Sequence, residues 1–393
     1  MTETRYPWRY ALFLMAYYIT NSVYQGFITV YYKGEGLSTA EIGFLSAAVP
    51  IVSVLTQPFW GSLGDRMKSR NRLIRFLALG ACCMILAFRA SSNPWVLLPV
   101  VCAFAAFYTA IQPMGDSVIL EALTPERIPF GPMRLAGGLS FALGSMVMGR
   151  LVQGQLHMVI YLTAGLLLFV FASTYALPET RGHQKKHEKA SMREILRVPH
   201  MAPLLIMVTL LQLTMGYFYT FFSVHFVSLE GGNEALLGWC FLISATCETP
   251  FLLMSDRLFE KIGVGKLLCI AAATISIRWV ILGTCTNVPI VMISQVFHGW
   301  GFIVMTVAMS KYIAATVPEN LRARGQMLLS ICGFGIARVV GNFAGGILAN
   351  AKGYQEGFLW CAAISIATLC IFAPKYLRMQ PLNGMEAPSV SRP

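Results

Sequence analysis

The amino-acid sequence predicts an all-α membrane protein with twelve transmembrane helices in two six-helix bundles related by pseudo-two-fold symmetry. Of its 393 residues, 56% are hydrophobic and 12% are charged, which is about half the charged fraction of a typical soluble domain. Apolar runs of about 20 residues, each long enough to cross the hydrocarbon core, recur along the chain. Short motifs also repeat at about half the chain length. These observations exclude a soluble globular fold.

The net charge of +12 does not predict nucleic-acid binding, because the bases cluster in short loops between apolar runs. The ten cysteines fall almost entirely within those runs, which predicts small buried side chains and no disulfide framework. The N-terminal apolar run is too long for a cleavable signal peptide. No phosphate-binding glycine loop, metal-ligand spacing or catalytic triad is found, so we expect no metal, no cofactor and no enzymatic activity.

In the first half of the chain, six spans are predicted at 8–31, 39–61, 73–91, 95–123, 134–153 and 157–177. The first span carries Asn21 and Gln25 one helical turn apart, so that they share a face. The second leads into a charged loop at 61–72. The fifth is rich in glycine and serine, which allow neighbouring helices to approach closely. Residues 1–177 are therefore expected to form the first bundle.

A polar segment at 178–200 divides the chain and is predicted to be a solvated cytoplasmic linker with a surface helix at 192–197. The second bundle is predicted over 201–393, including a short, disordered cytoplasmic tail from Lys375. Its six spans cover 202–228, 236–255, 265–284, 289–313, 325–349 and 356–373.

An internal repeat supports this division. The segment 64–67 after the second span matches 255–258 after the eighth, and the segment 122–126 matches 315–319. The offsets are 191 and 193 residues, close to half the chain, as in two-bundle transporters. Bases concentrate on the even-numbered connections, which predicts a plasma-membrane protein with both termini in the cytoplasm.

An acid and a base lie on either side of a short turn within the apolar sequence. Glu121 is near the end of the fourth span and Arg134 near the start of the fifth, with Pro125, Pro129 and Pro132 between them. A charge inside the bilayer costs several kcal/mol, so it usually pairs and usually has a function. The two residues are predicted to bind substrate. The alternative is a structural or gating ion pair across the turn.

Three further ionisable residues lie within the second half. Glu248 is in the eighth span beside Pro250, which frees a backbone carbonyl and indicates irregular helix at a cavity. Arg278 and His298 lie in the ninth and tenth spans. We expect these three groups to carry proton coupling, and His298 also to bind substrate. The alternatives are a structural Glu248–Arg278 pair and a core histidine.

Asp116 in the fourth span is a further candidate for proton coupling, with a buried hydrogen-bonding role as its alternative.

Uncharged polar and aromatic residues within the spans form a wider set of pocket candidates, for which packing or interhelical hydrogen bonding is the alternative. Tyr24 and Gln25 are predicted from this set as substrate contacts. Arg338 and Lys311 are weaker candidates, and Lys311 is expected to reach the cytoplasmic surface. The rest of the set comprises Asn21, Gln112, Gln212, Gln295, Tyr217, Tyr219, Trp239 and Trp300.

Together the twelve spans, the half-chain repeat and the loop containing Gly61, Asp65, Arg66 and Arg70 resemble the major facilitator superfamily over nearly the whole chain. Within that superfamily the chain resembles the branch that contains lactose permease and the phenylpropionate permeases. The residues that carry the second resemblance are Gln57-Pro58-Phe59-Trp60-Gly61, Glu121-Ala122, Phe130-Gly131-Pro132-Met133-Arg134, Glu248, Ser276-Ile277-Arg278-Trp279, His298-Gly299 and Lys311-Tyr312-Ile313.

The resemblance implies the fold of that superfamily and transport by alternating access. In lactose permease, the acid and arginine that match Glu121 and Arg134 bind sugar hydroxyls. Residues that match Glu248, Arg278 and His298 take part there in substrate binding and proton coupling.

The resemblance also implies that Asp65, Arg66 and Arg70 belong to a cytoplasmic gate. An acid at a helix end and its basic neighbours can latch two bundles in one state and release them in the other. Lys68 and Ser69 stand where a glycine and a base are common in the superfamily, which predicts a weakened latch.

Three positions depart from lactose permease. Phe141 replaces the tryptophan that stacks on the sugar ring, and we expect it to contact substrate. Gly301 replaces the carboxylate that carries the proton, and Gln295 replaces a buried lysine. The departures argue against a galactoside substrate and require proton coupling to use another group.

The sequence therefore predicts a secondary transporter that takes up a small polar organic solute together with protons. A sugar, a nucleoside and an aromatic acid all remain open as the solute. One alternative is efflux of drugs or metabolites by proton antiport, and another is a membrane sensor that lost transport. The expected partners are the small-molecule substrate, protons and the lipid bilayer, with no nucleic acid, and the expected state is a monomer.

Overall fold

A computed structural model of the chain describes residues 7–123, 128, 130–180 and 192–379, and every regular element in these ranges is helical. The α-helices are α1 (Trp8–Gly34), α2 (Thr39–Arg66), α3 (Arg70–Ala87), α4 (Pro94–Leu123), α5 (Gly131–Val152), α6 (Met158–Ser173), α7 (Met192–Leu196), α8 (Met201–Ser228), α9 (Glu234–Ile262), α10 (Val264–Thr284), α11 (Val288–Ile293), α12 (Val296–Thr316), α13 (Arg322–Leu329), α14 (Ala337–Lys352) and α15 (Tyr354–Tyr376).

The helices follow the predicted spans closely. Helices α11 and α12 together occupy the predicted tenth span, and α13, a π-helical segment at Ser330–Ile336 and α14 occupy the eleventh. Among the described residues, eleven helical segments are long and apolar enough to cross a membrane. Helix α1 is not one of them, because its tyrosines together with Asn21 and Gln25 lower its hydropathy. Its 27 residues are nevertheless long enough to span the bilayer.

The chain divides into two compact units. The first contains α1 to α6 together with Phe226–Leu242, which covers the end of α8 and the start of α9. The second contains α7, the rest of α8 and α9, and α10 to α15. The predicted surface helix is present as α7, whereas linker residues 181–191 and tail residues 380–393 lie outside the described ranges.

The first unit is built around α1, which packs against α5 and α6, while α4 packs against α2 and α3. Glycines of α5 make the first of these contacts possible. A Cβ atom at Gly137 would lie 2.6 Å from the ring of Tyr18, and one at Gly144 would lie 2.8 Å from the hydroxyl of Ser22. The small residues predicted to allow close helix approach therefore do so against α1.

In the second unit α10 is the central helix and packs against α12 and α15. Buried polar contacts fix its position. Ser276 Oγ donates to Ser365 Oγ at 2.9 Å, and Trp279 Nε1 donates to Thr214 Oγ1 at 3.0 Å. Such bonds are favoured between membrane helices because the bilayer core offers no water as an alternative partner.

Pro113 opens the backbone of α4 to a side-chain donor of α2. Pro113 in α4 cannot donate to the carbonyl of Thr109, and Gln57 Nε2 of α2 approaches that oxygen at 3.4 Å. One turn earlier, Trp60 Nε1 donates to the carbonyl of Ala106 at 2.8 Å. Two residues of the Gln57–Gly61 motif thus connect α2 to α4.

Large apolar side chains cover the outward faces of both units. Leu55, Leu253 and Ile371 are examples, each about 70% exposed. A soluble protein would leave such side chains in water in many places at once, whereas lipid solvates them. Their distribution is that of helices which face hydrocarbon.

Candidate functional site

In the first unit, Arg70 at the start of α3 joins two carboxylates. Its Nη2 donates to Asp65 Oδ1 at 2.8 Å and its Nη1 donates to Glu121 Oε2 at 2.9 Å. Arg70 is buried and its Nη1 also approaches the hydroxyl of Ser117 at 3.3 Å. Two predicted gate residues and one predicted substrate residue therefore form a single ionic cluster, which links the ends of α2, α3 and α4. Arg66, the third predicted gate residue, is exposed.

Arg134 at the start of α5 has its described contacts with residues of α1 and α4. Its guanidinium lies over the ring of Tyr18, with 4.4 Å from Cζ to the centroid. The charge of Arg134 also acts on Asp116 of α4, and the side chain of Gln112 lies within hydrogen-bonding reach of the same carboxylate. Gln112 Nε2 donates to the hydroxyl of Tyr18 at 2.8 Å.

This second cluster, comprising Tyr18, Gln112, Asp116 and Arg134, balances one acid with one base in the membrane. Asp116 Oδ1 is buried and has no hydrogen-bond partner within the described part of the chain. A buried acceptor without a donor is costly, and it is available to a ligand hydroxyl or amine. The structure thus brings Arg134 together with Asp116 and brings Glu121 together with Arg70.

The other predicted substrate residues of the first unit have differing environments. Tyr24 is buried and its ring packs against those of Phe104 and Tyr108, at centroid distances of 4.7 and 5.3 Å. Gln25 is exposed on α1. Phe141 meets the ring of Phe241 edge-on at 6.4 Å. These contacts describe aromatic packing for Tyr24 and Phe141, so their binding role stays a prediction.

In the second unit, Arg278 and His298 are in direct contact, and both side chains are buried. Arg278 Nη1 lies 2.7 Å from His298 Nδ1, and Arg278 Nη2 donates to Gln295 Oε1. Gln295 is itself fixed by donating from Nε2 to the carbonyl of Val291 at 2.8 Å. Gln295, which stands where lactose permease has a lysine, therefore orients Arg278.

The contact with Arg278 determines the tautomer of His298. A guanidinium can only donate, so Nδ1 must accept, and a neutral imidazole then carries its proton on Nε2. That nitrogen faces Tyr219 Oη at 3.2 Å and Glu248 Oε1 at 3.5 Å. The predicted proton-coupling residues Glu248, His298 and Arg278 therefore form one oriented chain across α9, α12 and α10.

Aromatic rings enclose this chain. The guanidinium of Arg278 lies 3.9 Å from the ring centroid of Phe218, and Phe302 stacks on His298 at 5.8 Å with an interplanar angle of 6°. Arg338 of α14 lies over Tyr219, with 4.2 Å from Cζ to the ring centroid. The rings exclude water from one side of each charged group, which strengthens every electrostatic interaction among them.

Glycine determines how closely these helices approach. A Cβ atom at Gly299 would lie 2.5 Å from the carbonyl oxygen of Cys247, so α12 and α9 are in backbone contact beside His298 and Glu248. A Cβ atom at Gly301 would lie 2.5 Å from Cγ1 of Ile275. The space that a side chain at position 301 would occupy is therefore filled by Ile275 of α10.

Two of the elements that present this cluster are interrupted helices. Helix α11 ends at Ile293 and α12 begins at Val296, so Gln295 and His298 lie at the break. The π-helical segment Ser330–Ile336 ends immediately before α14 and Arg338. π-Helical turns and broken membrane helices are frequent at functional sites. From sequence, Arg338 was a weaker candidate and Gln295 belonged to the wider set of pocket candidates, and these breaks carry no proline that would have indicated a larger role.

The ends of the repeated helices show a related pattern in the two units. Asp65 of α2 contacts Arg70, which reaches Glu121 on α4, and Asp256 of α9 contacts Lys311 on α12 directly. The sequence repeat 64–67 and 255–258 therefore corresponds to an ionic connection in each unit.

Within the described ranges, no group of three or more metal-ligating side chains is found.

Two helical units with charged side chains inside apolar helices are typical of a membrane transporter. The profile described as "MFS_1 like family" matches residues 7–360, and the chain belongs to this family. It is an integral membrane transporter of the major facilitator type and not an enzyme.

Relatives and solved structures agree with this assignment. A protein of Escherichia coli (strain K12) named "Probable 3-phenylpropionic acid transporter" is 26% identical, over 93% of this chain and 96% of its own. A maltose permease of Geobacillus stearothermophilus is also 26% identical, over 88% and 90%. The crystal structure of nucleoside transporter NupG (D323A mutant) superposes with a TM-score of 0.85 at 15% identity, covering 94% of this chain and 99% of that one. The last likeness shows the shared fold.

Proposed function

We propose that this chain is a proton-coupled secondary transporter that takes up a small polar organic solute by alternating access. The oriented chain of Glu248, His298 and Arg278 is the observation that carries the proposal. It offers a carboxyl group that can bind a proton at membrane depth, connected to an arginine that can bind solute. The named relatives include a maltose permease, and uptake is the direction proposed from that likeness.

In the proposed mechanism, Glu248 is the proton carrier and His298 transmits its state. An ionised Glu248 attracts the Nε2–H of His298, which leaves Nδ1 free to accept from Arg278. A proton on Glu248 removes that attraction and weakens the alignment of Arg278. The binding of a proton to Glu248 is thereby linked to the binding of solute to Arg278, as coupled transport requires.

In the first unit, we propose that Asp116 and Arg134 contact the solute, and that Glu121 is shared between solute and gate. The unsatisfied Oδ1 of Asp116 supports the first assignment, and the contact of Glu121 with Arg70 supports the second. Asp65 and Arg70 are then the cytoplasmic latch of this unit.

The orientation of the chain is part of the proposal. Bases on the even-numbered connections support cytoplasmic termini. A fluorescent-protein or phosphatase fusion at the C-terminus tests it, because only the cytoplasmic fusion would fluoresce and only the external one would hydrolyse its substrate. Phosphatase activity without fluorescence would reverse the orientation.

The decisive experiment compares Glu248→Gln with wild type in proteoliposomes. We expect the variant to retain counterflow, which requires binding and exchange only, and to lose accumulation driven by an imposed pH gradient. Glu260→Gln is the matched control, since Glu260 lies on the same helix but is exposed at its end. Accumulation that survives in Glu248→Gln would remove this residue from coupling, and accumulation driven outward by an inward proton gradient would establish antiport.

A further inference from the structure

The cluster around His298 contains more positive than negative charge. Arg278 and Arg338 are both cationic, and His298 is neutral in the tautomer that Arg278 imposes. Among the described residues, Glu248 is the one carboxylate in contact with the cluster. Both arginines influence His298 electrostatically. With Glu248 ionised, the cluster therefore carries one positive charge in excess, and a proton on Glu248 would increase that excess.

Arg338 is the cation that the described contacts leave uncompensated. Its guanidinium packs over Tyr219 at 4.2 Å and reaches the ring of Phe334 at 5.5 Å. Its Nε is buried and has no hydrogen-bond partner within the described ranges. None of the ion pairs found in those ranges includes Arg338. Cation–π contacts supply only part of the stabilisation that a charge loses in leaving water.

The position of Arg338 is held by the backbone. A Cβ atom at Gly216 of α8 would lie 3.2 Å from the Cα atom of Arg338, so α8 and α14 are in close contact at this level. The close packing places the guanidinium beside Tyr219, which also contacts His298. A single aromatic side chain, Tyr219, thus lies between Arg338 and His298 of the proton-coupling chain.

A carboxylate fits this environment better than a hydroxyl. A guanidinium presents a planar pair of donors that matches the two oxygens of a carboxylate, and the ion pair neutralises the excess charge. A sugar or nucleoside hydroxyl could satisfy Nε but would leave the charge in place. The rings of Tyr219, Phe302 and Phe334 offer an apolar surface for the remainder of the ligand.

We infer that Arg338 binds the carboxylate of the transported solute, and that the solute is a monocarboxylate with an apolar body. This inference rests on the proposed transport function and names its substrate class. The inference also determines how much net charge crosses the membrane in each transport cycle. One proton moving with one monocarboxylate carries no net charge, whereas one proton moving with a neutral sugar or nucleoside carries one positive charge.

The first test measures binding to the purified full-length chain. The probes are 3-phenylpropionate and its uncharged amide, which share one carbon skeleton, together with maltose and uridine as neutral solutes. We expect the acid to bind and the amide to bind at least tenfold more weakly. Arg338→Gln should weaken binding of the acid by about tenfold to a hundredfold, the range for losing a hydrogen bond to a charged group. Arg338→Lys, which keeps the charge, should recover part of the loss.

Arg75→Gln is the matched control. Arg75 also lies over a tyrosine, Tyr175, at 4.4 Å, but in the first unit and away from the cluster. We expect it to leave affinity for the acid unchanged. Thermal unfolding of both glutamine variants without ligand separates a binding defect from a folding defect.

The second test measures uptake into proteoliposomes under an imposed membrane potential. Proton-driven uptake of 3-phenylpropionate should be insensitive to a potassium-diffusion potential. Transport of maltose or uridine that is accelerated by an interior-negative potential and unaffected by Arg338→Gln would overturn the inference and leave the transport proposal standing. Failure of every probe to undergo counterflow would remove the transport proposal and the inference with it.

Discussion

Gly299 of α12 lies against α9 so closely that a Cβ atom there would come within 2.5 Å of the Cys247 carbonyl oxygen. His298 and Glu248 are the neighbours of these two residues, so the backbone contact sets the 3.5 Å separation of their side chains. We predict that Gly299→Ala forces the helices apart and lowers the free energy of unfolding by about 1–3 kcal/mol, the usual range for overpacking. Thermal unfolding and proton-driven accumulation measure the two effects.

The control for this prediction is Gly165→Ala in α6, where a Cβ atom would meet no atom of another helix within 4 Å. It should leave transport intact and leave stability unchanged or increased by up to about 1 kcal/mol, because alanine is the better helix former. Equal losses in the two variants would refute the importance of the α9–α12 contact.

A second prediction concerns the missing carboxylate at position 301. Gly301→Asp should destabilise the protein, since its Cβ would meet Ile275 at 2.5 Å. Adding Ile275→Ala should recover a part of the loss by creating space. The measurement is the melting temperature of the two single variants and the double variant. Additive losses would show that Ile275 is not what excludes a side chain there.

A third prediction concerns Arg70. Arg70→Gln removes the cation that joins Asp65 to Glu121, so it should destabilise more than Arg66→Gln, whose side chain is exposed. A double-mutant cycle of Arg70→Gln with Glu121→Gln should give a coupling free energy of about 1 kcal/mol, modest because Glu121 is partly exposed. A coupling of zero would mean that the contact contributes nothing to stability.

A fourth prediction separates the two carboxylates of α4. Asp116→Asn should weaken solute binding more strongly than Glu121→Gln. Among the described residues, Asp116 Oδ1 is buried without a hydrogen-bond partner, and the charge of Arg134 acts on this carboxylate. Counterflow with the bound solute as probe measures the difference, and thermal unfolding controls for folding. If Glu121→Gln abolishes counterflow while Asp116→Asn retains it, the original pairing of Glu121 with Arg134 is the correct one.

Most of the fold could be predicted because bilayer thickness and hydropathy constrain each span independently of its neighbours. The predicted spans agree with the helices to within a few residues at most ends, and α9 is the main exception. It continues to Ile262, well past the predicted end at 255, because its last turns are polar and extend beyond the apolar run. Hydropathy locates the membrane and not the end of a helix.

The candidate site was predicted less completely, because side-chain partners depend on how helices rotate about their axes. Proximity in sequence favoured Glu121 as the partner of Arg134, but the described contacts of Glu121 are with Arg70, more than 50 residues earlier. Arg338 was a weaker candidate from sequence, which does not show the surroundings of a side chain. The absence of a hydrogen-bond partner for its Nε among the described residues is the observation on which its proposed role now rests.

The π-helical segment Ser330–Ile336 has a consequence for how this cation is oriented. A π turn accommodates one more residue than an α turn, and each residue of an α-helix rotates the chain by about 100°. Deleting a single residue within the segment would restore a regular helix and leave Arg338 facing Tyr219, because the π turn absorbs its extra residue without rotating the helix that follows. The charge selectivity proposed for this transporter therefore depends on helical phase as well as on side-chain identity, and the π-helical segment allows that phase to be kept when the number of residues before Arg338 changes by one.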